Sequence, residues 1–424
     1  MSERMDKLHI VHFKILSILS KCFIFIQVCN SYWIFFINSY WERIIMAYES
    51  VDRLQKALVE DVFHYAKDSK KAAGRALGTI VEIITFYLIK TWGLNNHISI
   101  EKGLREYGNP DISHNVEFSL HPIIKSSFLT LKKSEKTLTA HVILNALKED
   151  KYNLTGFEPK PNQLLNNGVL RNACTIGMSN DSSLLCSIYK ETKGAFQLHI
   201  YEQSNKPYSV FECKRVGVEE GMSKGPQTIE KAKQGAYVAR VASSLQKIRN
   251  EYGEVNGIIF KSDNSYIIKP FVNMMEEVIA SDDKELLRKF ILTVGVVSNH
   301  GNWFTSENQN KELKVLAQSY DWLLFLTDDG LAEFIEDLLF KPIKKYRPIR
   351  DAFISSYSAT KKKNQFTKVK MNIDADRLLL SYFSRNIKHI DSWFNIITPE
   401  KKTIAVLRDE LKELANKNWV EILK

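Results

Sequence analysis

The stretch that decides the fold is YSVFECKRVGVEEGMSKGPQTIEKAKQGAY, from Tyr208 to Tyr237. It starts with an apolar and aromatic run that ends in charge, which is typical of a strand. Gly217, Gly221 and Gly225 then interrupt the pattern, and the lysine-rich IEKAKQGAY that follows predicts a helix. The stretch therefore predicts a strand, a loop and a helix of an α/β protein.

Two charged residues close this strand. Successive side chains on a strand point to opposite faces, so Glu212 and Lys214 share one face while Cys213 points to the other. An E-x-K pattern alone also occurs on solvent-facing strands, but here an apolar run precedes it and a glycine-rich bend follows it. On the helix, Gln234 and Tyr237 are three residues apart and share a face, either for support of this pair or for ordinary packing.

Outward from this stretch, helical and strand-like patterns alternate. Helices are predicted over 51–68, 70–92, 137–149 and 228–249, and strand-like runs are GNPDISHNVEFSLHP, LLCSIYK, AFQLHIYE, YSVFECKRV and NGIIF. Three of these runs follow one another with short turns between them and predict a meander. Strands followed by a helix and a further strand predict a mixed sheet with helices on its faces.

The first 45 residues differ from the rest. Residues 22–41, CFIFIQVCNSYWIFFINSYW, are uncharged and long enough to cross a bilayer, but they include several polar side chains. They lack the small-residue cleavage site of a secretory signal. We expect translation to begin at Met46, where an amphipathic helix opens, and residues 1–45 to be a mis-assigned leader; a membrane anchor is the alternative.

Positive charge is concentrated near the end of the chain. The net charge is +10, and between Lys341 and Lys370 ten Lys or Arg stand against the single acid Asp351. We therefore expect a domain over 46–340 and a basic helical segment over 341–424 that contacts phosphates. The candidate contacts are Lys344, Lys345, Arg347, Lys361, Lys362 and Lys363. A solvated loop is the alternative for the last three.

The five cysteines form no CxxC pair, and no histidine stands at zinc-finger spacing. This favours a reducing compartment without a structural metal, so we expect a cytoplasmic protein. The sequence contains no P-loop, GxGxxG motif or internal repeat. The histidine of SNHGNW, residues 298–303, lies in a Gly-Asn turn that is typical of a loop.

An isolated acid lies upstream, in GRALGTIVEIITF from Gly74 to Phe86. Glu82 is surrounded there by apolar residues of a predicted helix. A carboxylate is costly to bury unless something pairs with it. Glu82 therefore either lies at a partly exposed edge of the helix or points at a metal site.

FECK, the helix IEKAKQGAY and the upstream GRALGTIVEIITF together resemble the PD-(D/E)XK nuclease superfamily, in particular type II restriction endonucleases. The resemblance covers roughly Lys70 to Phe260. It implies a restriction-endonuclease-like mixed central sheet flanked by helices, here with extra helical segments, and Mg²⁺-dependent hydrolysis of DNA phosphodiesters. The chemistry is consistent, because an anionic diester repels hydroxide and a divalent ion offsets that charge.

By this resemblance Glu212 is a metal ligand and Lys214 orients or activates the attacking water, with Glu82 as a further acid. Gln234 and Tyr237 resemble the Q-and-Y helix of some relatives, at a spacing of three rather than four.

The resemblance also implies an upstream aspartate as a metal ligand. Asp181 lies 31 residues before Glu212 and is the first candidate. Asp111, in a literal Pro-Asp pair, is the alternative, although it requires a large insertion. Glu191 is a further option.

The implied function is site-specific cleavage of double-stranded DNA in a restriction-modification system. A palindromic target implies a homodimer, and the system implies a cognate DNA methyltransferase as functional partner. No small-molecule substrate is expected. The alternatives are a repair or junction nuclease of the same superfamily, and a non-enzymatic DNA-binding module in which residues 341–370 bind DNA and Glu212 and Lys214 form only a surface ion pair.

Overall fold

The structure is a computed structural model. It describes residues 51–106, 109–132, 137–215, 233, 235–237, 239–240, 243–298, 311–357 and 364–424. Residues 51–424 form one compact unit. Some sequence predictions lie outside the described residues: the leader 1–45, the turn after Ser298, Gln234, Lys361, Lys362 and Lys363.

Two helices open the described chain, α1 (Val51–Asp61) and α2 (Ser69–Ile89). The Asp68 carboxylate caps α2 by accepting a hydrogen bond from the Lys71 amide, which satisfies one of the N–H groups that a helix start leaves free. The last ten residues of α2 are buried apart from Glu82, because the helix packs between a sheet strand and a C-terminal helix. The helix predicted over 70–92 is confirmed, whereas the one predicted over 51–68 ends at Asp61.

The segment Ser69–Leu94 is the one described helix that is long and apolar enough to cross a membrane. Of its most apolar window, 67% is buried inside the protein. Such burial is typical of the core helix of a globular protein, which is hydrophobic all round.

A six-stranded mixed sheet forms the centre of the unit. Its strands are, in spatial order, β1 (Ile98–Ile100), β4 (Phe118–Leu120), β13 (Ser209–Arg215), β17 (Leu292–Ser298), β18 (Trp322–Leu326) and β20 (Phe394–Thr398). The first three are antiparallel neighbours, β13, β17 and β18 run parallel, and β20 closes the edge antiparallel. The mixed α/β class predicted from the sequence is confirmed.

The chain between β4 and β13 builds a second, antiparallel sheet. In spatial order its strands are β5 (Ile123–Lys132), β12 (Ala195–Ser204), β11 (Ser182–Glu191), β10 (Cys174–Met178) and β7 (Glu158–Pro159). Helix α3 (Ala140–Glu149) packs against this sheet, and Ile143, Leu184 and Leu198 belong to its separate apolar core. The helix predicted over 137–149 therefore starts three residues late, at Ala140.

The predicted meander of three strands is wrong in its last member. Strands β11 and β12 do pair antiparallel, but β13 lies in the six-stranded sheet. Burial explains the difference. Strand β12 begins with alternating buried and half-buried residues, whereas the first five residues of β13 are all buried and require cover on both faces.

Three smaller sheets complete the unit. One contains β6 (Thr137–Thr139), β8 (Gln163–Asn166), β9 (Val169–Arg171) and β19 (Lys370–Asn372); another is the hairpin of β2 (Gly103–Glu106) and β3 (Asn109–Asn115); the third contains β14 (Leu245–Arg249), β15 (Val255–Phe260) and β16 (Tyr266–Pro270). The first of these joins the chain between β4 and β13 to the C-terminal part of the protein, because β9 pairs with β19.

The helix predicted over 228–249 is wrong at its C-terminal end. Helical residues are described between 233 and 240, and the chain then turns into strand β14. A tight turn after β14 explains why these residues form a strand rather than the end of a helix. The Asn250 side chain accepts hydrogen bonds from the amides of Tyr252 and Glu254, and Gly253 has a φ of +83°. This turn pairs β14 with β15 as a hairpin.

The remaining α-helices follow strand β16 in the chain. They are α4 (Phe271–Ala280), α5 (Lys284–Lys289), α6 (Lys311–Ser319), α7 (Asp328–Ile335), α8 (Arg347–Tyr357), α9 (Ile373–Arg385), α10 (Ile387–Asp391), α11 (Ile404–Ala415) and α12 (Trp419–Ile422). The boundary predicted at residue 340 does not divide the unit. Strand β20 pairs with the buried strand β18 and so satisfies backbone groups that would otherwise lack partners.

Candidate active site

Strand β13 brings Glu212 and Lys214 to one face. Their side chains form an ion pair, with Glu212 buried and 34% of the Lys214 side chain exposed. The intervening Cys213 is buried, and its environment includes Thr85 of α2. The strand thus holds a carboxylate inside the protein while its ammonium partner reaches solvent.

A second carboxylate adjoins the first across the sheet. Glu117 immediately precedes β4, which pairs antiparallel with β13 so that Phe118 lies opposite Phe211. The Glu117 backbone amide donates a hydrogen bond of 3.4 Å to Glu212 Oε2. Lys214 Nζ lies 3.9 Å from Glu117 Oε2. The Lys214 ammonium therefore contacts both buried carboxylates.

A second ammonium enters from the C-terminal part of the chain. Lys368 is only 6% exposed and forms an ion pair with Glu117. Its Nζ also lies 3.1 Å from Glu82 Oε2 and 3.0 Å from Glu101 Oε1. Asn172 fixes the loop, since its side-chain amide donates to the Lys368 carbonyl at 2.9 Å.

We call Glu82, Glu101, Glu117, Glu212, Lys214 and Lys368 the acid–lysine cluster. Four carboxylates against two ammonium groups leave a formal charge of −2. Burial raises the pKa of Glu212, Lys214 opposes that shift, and the nearby charge of Glu82 adds to it. An excess of negative charge in a partly buried position favours binding of a further cation.

The helical residues after β13 lie against this cluster. A Cβ placed on Gly235 would come within 2.8 Å of Glu212 Oε2, so a larger residue at this position would displace the carboxylate. Tyr237 is 54% exposed, and its ring centroid lies 6.5 Å from that of His114. These contacts place Tyr237 beside β3.

The donor set fits the Mg²⁺ that the family resemblance implies. Among the described residues, no group of three or more His, Cys, Asp or Glu could hold a metal ion by itself. Mg²⁺ does not require one, because one or two carboxylates together with water and phosphate oxygens suffice. Glu117 and Glu212 supply two carboxylates, and the Lys214 ammonium already provides a positive charge between them.

The structure does not bring the predicted upstream aspartates to the cluster. Asp181 is exposed in the turn between β10 and β11 of the second sheet, where its backbone carbonyl accepts a hydrogen bond from Asn205. Asp111 is exposed on β3. Glu191, at the end of β11, forms an ion pair with Arg377. Glu82, by contrast, does lie in the cluster.

Sequence reasoning missed Glu117, Glu101 and Lys368. The available signal for Glu117 was its place directly before the short apolar run Phe118–Leu120, the pattern of an acid at the start of a buried strand. No sequence signal pointed to Lys368, because only tertiary contacts distinguish it from the other lysines of the basic segment.

The described part of the predicted phosphate-contacting surface lies at the start of α8 and in the turn just before it. Lys344, Lys345 and Arg347 are exposed at the start of α8 and form no ion pair with any described carboxylate. Lys345 Nζ lies 5.1 Å from the ring centroid of Tyr346. The arrangement is a solvated basic face, and its role in DNA binding stays a prediction.

Comparison with known proteins gives no further guide to identity: no family model, curated protein or solved structure matches the chain.

Proposed function

We propose that the chain is a Mg²⁺-dependent, site-specific DNA endonuclease of the type II restriction class. The observation that carries the proposal is the meeting of Glu117, Glu212 and Lys214 at the adjoining ends of antiparallel strands β4 and β13. A carboxylate pair with an ammonium beside it can support metal-assisted phosphodiester hydrolysis, since the acids can hold the ion and the ammonium can stabilise developing negative charge.

The order of elements also supports the proposal. Helix α2, strands β1, β4 and β13, the helical residues between 233 and 240, and strand β17 follow one another in the order that the resemblance implies. The second sheet then constitutes an insertion between β4 and β13. In this arrangement Glu117 takes the part that the sequence had assigned to Asp181, and Glu82 projects from the preceding helix.

In the proposed mechanism Glu117 and Glu212 would hold a Mg²⁺ ion. Bound Mg²⁺ supplies positive charge for the diester and makes water more acidic. Lys214, whose side chain is 34% exposed, can reach a phosphate at the surface and stabilise the negative charge that develops on it. Its contact with Glu212 fixes the direction of the ammonium group.

The test is incubation of purified protein with unmethylated phage DNA, in Mg²⁺ and in EDTA, beside the Lys214→Ala variant. We expect discrete fragments that require Mg²⁺ and cleavage that falls by about 10²–10³-fold in the variant, because a charge-stabilising group is removed. Gel shifts in EDTA should show that the variant still binds DNA.

Lys269→Ala provides the matched control, since Lys269 also lies on a strand and pairs with a carboxylate, Glu277, but outside the cluster. It should cut as the unmodified protein does. Intact DNA under every condition, with binding still present, would favour the non-enzymatic DNA-binding module. The homodimer and the partner methyltransferase stay predictions of the same proposal.

A further inference from the structure

Two cations face each other in the small sheet beside the acid–lysine cluster. Arg171 on β9 and Lys370 on β19 are direct cross-strand partners. In the described part of the chain, neither forms an ion pair with a carboxylate. Like charges placed directly opposite each other are destabilising. The pair therefore suits an anion from outside the protein.

Both cations line a cavity of about 640 Å³ whose other walls are rich in amides. We call this cavity the amide groove; its amide residues include Gln163, Asn166, Asn167, Asn364 and Gln365. None of the groove's lining residues is acidic. Side-chain amides donate and accept hydrogen bonds at once, which suits the edges of nucleic-acid bases.

Gln365 gives the amide groove a hydrogen-bonding group that is held in place. The residue is 8% exposed and lines the groove, and its side-chain amide makes no hydrogen bond to any described residue. Its backbone is fixed by bonds to Ser356 and Asn372. The amide can therefore donate to and accept from a ligand in the groove.

The amide groove leads towards the acid–lysine cluster. Arg171 also lines a second cavity, of about 270 Å³, whose wall contains Glu101 and Val369. Glu101 is itself a member of the cluster, and Val369 follows Lys368 in the chain. A ligand that contacts Arg171 is therefore one cavity away from Glu101, an acid of the cluster.

We infer that the amide groove is the place where the DNA duplex is held beside the phosphate to be cut, an inference that rests on the proposed function. Arg171 and Lys370 neutralise backbone phosphates, which positions the duplex. Gln365 and the neighbouring amides contact base edges, which contributes to the choice of sequence.

The test measures binding of a fluorescein-labelled 30-base-pair duplex to the full-length chain by fluorescence anisotropy, in EDTA and over a series of salt concentrations. Affinity falls with salt, so the slope of log affinity against log salt is negative. In the double variant Arg171→Gln, Lys370→Gln its magnitude should be smaller by about 1.8, because each lost phosphate contact removes about 0.9. A matched double variant, Lys193→Gln with Lys388→Gln, changes two exposed lysines elsewhere and should leave the slope unchanged.

Thermal melting shows whether each variant folds. If the double variant does not, the exposed Lys370→Gln change alone should lower the magnitude of the slope by about 0.9. Gln365→Leu alters no charge, so it should leave the slope as it is while reducing the preference for the cut site over other sequences.

Cleavage assays separate this inference from the proposed function. A slope of smaller magnitude without any Mg²⁺-dependent cleavage would support the amide groove as a DNA site and overturn the nuclease. Cleavage with an unchanged slope in the double variant would support the nuclease and overturn the groove. Absence of DNA binding by the unmodified protein would overturn both.

Discussion

Buried carboxylates have different partners in two regions of the molecule, the acid–lysine cluster and the surroundings of Glu410. Glu410, on α11, accepts a hydrogen bond of 2.8 Å from the Trp322 indole, and its other oxygen has no hydrogen-bond partner among the described residues. Burial raises the pKa of Glu410 to about 7. At Glu117 and Glu212, two ammonium groups lie against the carboxylates instead.

The difference separates a structural acid from a chemically useful one. A carboxylate that is buried without a cation becomes neutral near pH 7, and the fold tolerates it as a hydrogen-bonded acid. Lysines that contact a buried carboxylate favour its charged form, although they do so at the cost of desolvating two ions. At Glu212, Lys214 accordingly opposes the rise in pKa that burial causes.

The largest effect is expected at the metal ligand that partners Glu212, for which Glu117 and Asp181 are the two candidates. Glu117→Gln should reduce Mg²⁺-dependent cleavage by about 10²–10³-fold, because it removes charge from the proposed metal site. Asp181→Asn, an equal chemical change at an exposed turn, should cut at the rate of the unmodified protein. Initial rates on a plasmid substrate measure both variants.

Calorimetry in the absence of DNA measures the affinity for Mn²⁺ and so tests Glu117 and Asp181 independently of cleavage. The affinity should fall in Glu117→Gln and not in Asp181→Asn. If Asp181→Asn were the variant that lost metal and activity, the assignment of Glu117 would be wrong.

A second prediction concerns Lys368, which contacts three carboxylates of the cluster. Lys368→Met should lower the free energy of unfolding in EDTA by about 3 kcal/mol, because it leaves Glu117 buried without its closest cation. Lys370→Met, two residues later and exposed, should change it by less than about 0.5 kcal/mol. Urea unfolding followed by tryptophan fluorescence measures both.

Mg²⁺ sharpens this prediction. A divalent ion can replace the lost positive charge, so Mg²⁺ should stabilise Lys368→Met more than it stabilises the unmodified protein. Equal stabilisation of the two proteins would show that Lys368 and the metal ion do not compensate the same charge.

A third prediction concerns Glu410, where the folded pKa is above the unfolded one. Between about pH 4.5 and pH 7 the folded chain binds more protons than the unfolded chain, so its stability falls as pH rises through this window. Glu410→Gln should remove that decline and leave the variant more stable by up to about 3 kcal/mol at pH 8 and by nothing at pH 4.5. Denaturant unfolding at a series of pH values tests this.

Glu413→Gln on the same helix is the control, since Glu413 is partly exposed and pairs with Lys417. Its pH profile should follow that of the unmodified protein. A Glu410→Gln profile that still declined between pH 4.5 and pH 7 would place the source of the decline elsewhere.

The sequence predicted the half of the candidate site that is local in the chain. Glu212 and Lys214 are two residues apart on one strand, and strand periodicity is enough to put them on one face. The apolar run around Glu82 likewise predicted a helix, with a metal site as one of two interpretations of its isolated acid. Each of these predictions depended on spacing within a single element.

The other half depends on contacts between distant segments. Nearness in sequence favoured Asp181 as the partner of Glu212, but a whole sheet with its own core separates β4 from β13. Strand β4 has three residues, too few to show a period, so Glu117 carried little signal. Lys368 reaches the cluster only because β19 pairs with β9.

The position of Lys368 in the chain also sets when the cluster is complete during synthesis. A ribosome that has translated as far as residue 340 has already produced Glu82, Glu117, Glu212 and Lys214, yet Lys368 and the strand that covers β18 do not exist. The nascent chain thus carries the acids before it carries the ammonium that balances them. The acid–lysine cluster can therefore be completed only after the ribosome has translated Lys368, near the end of synthesis.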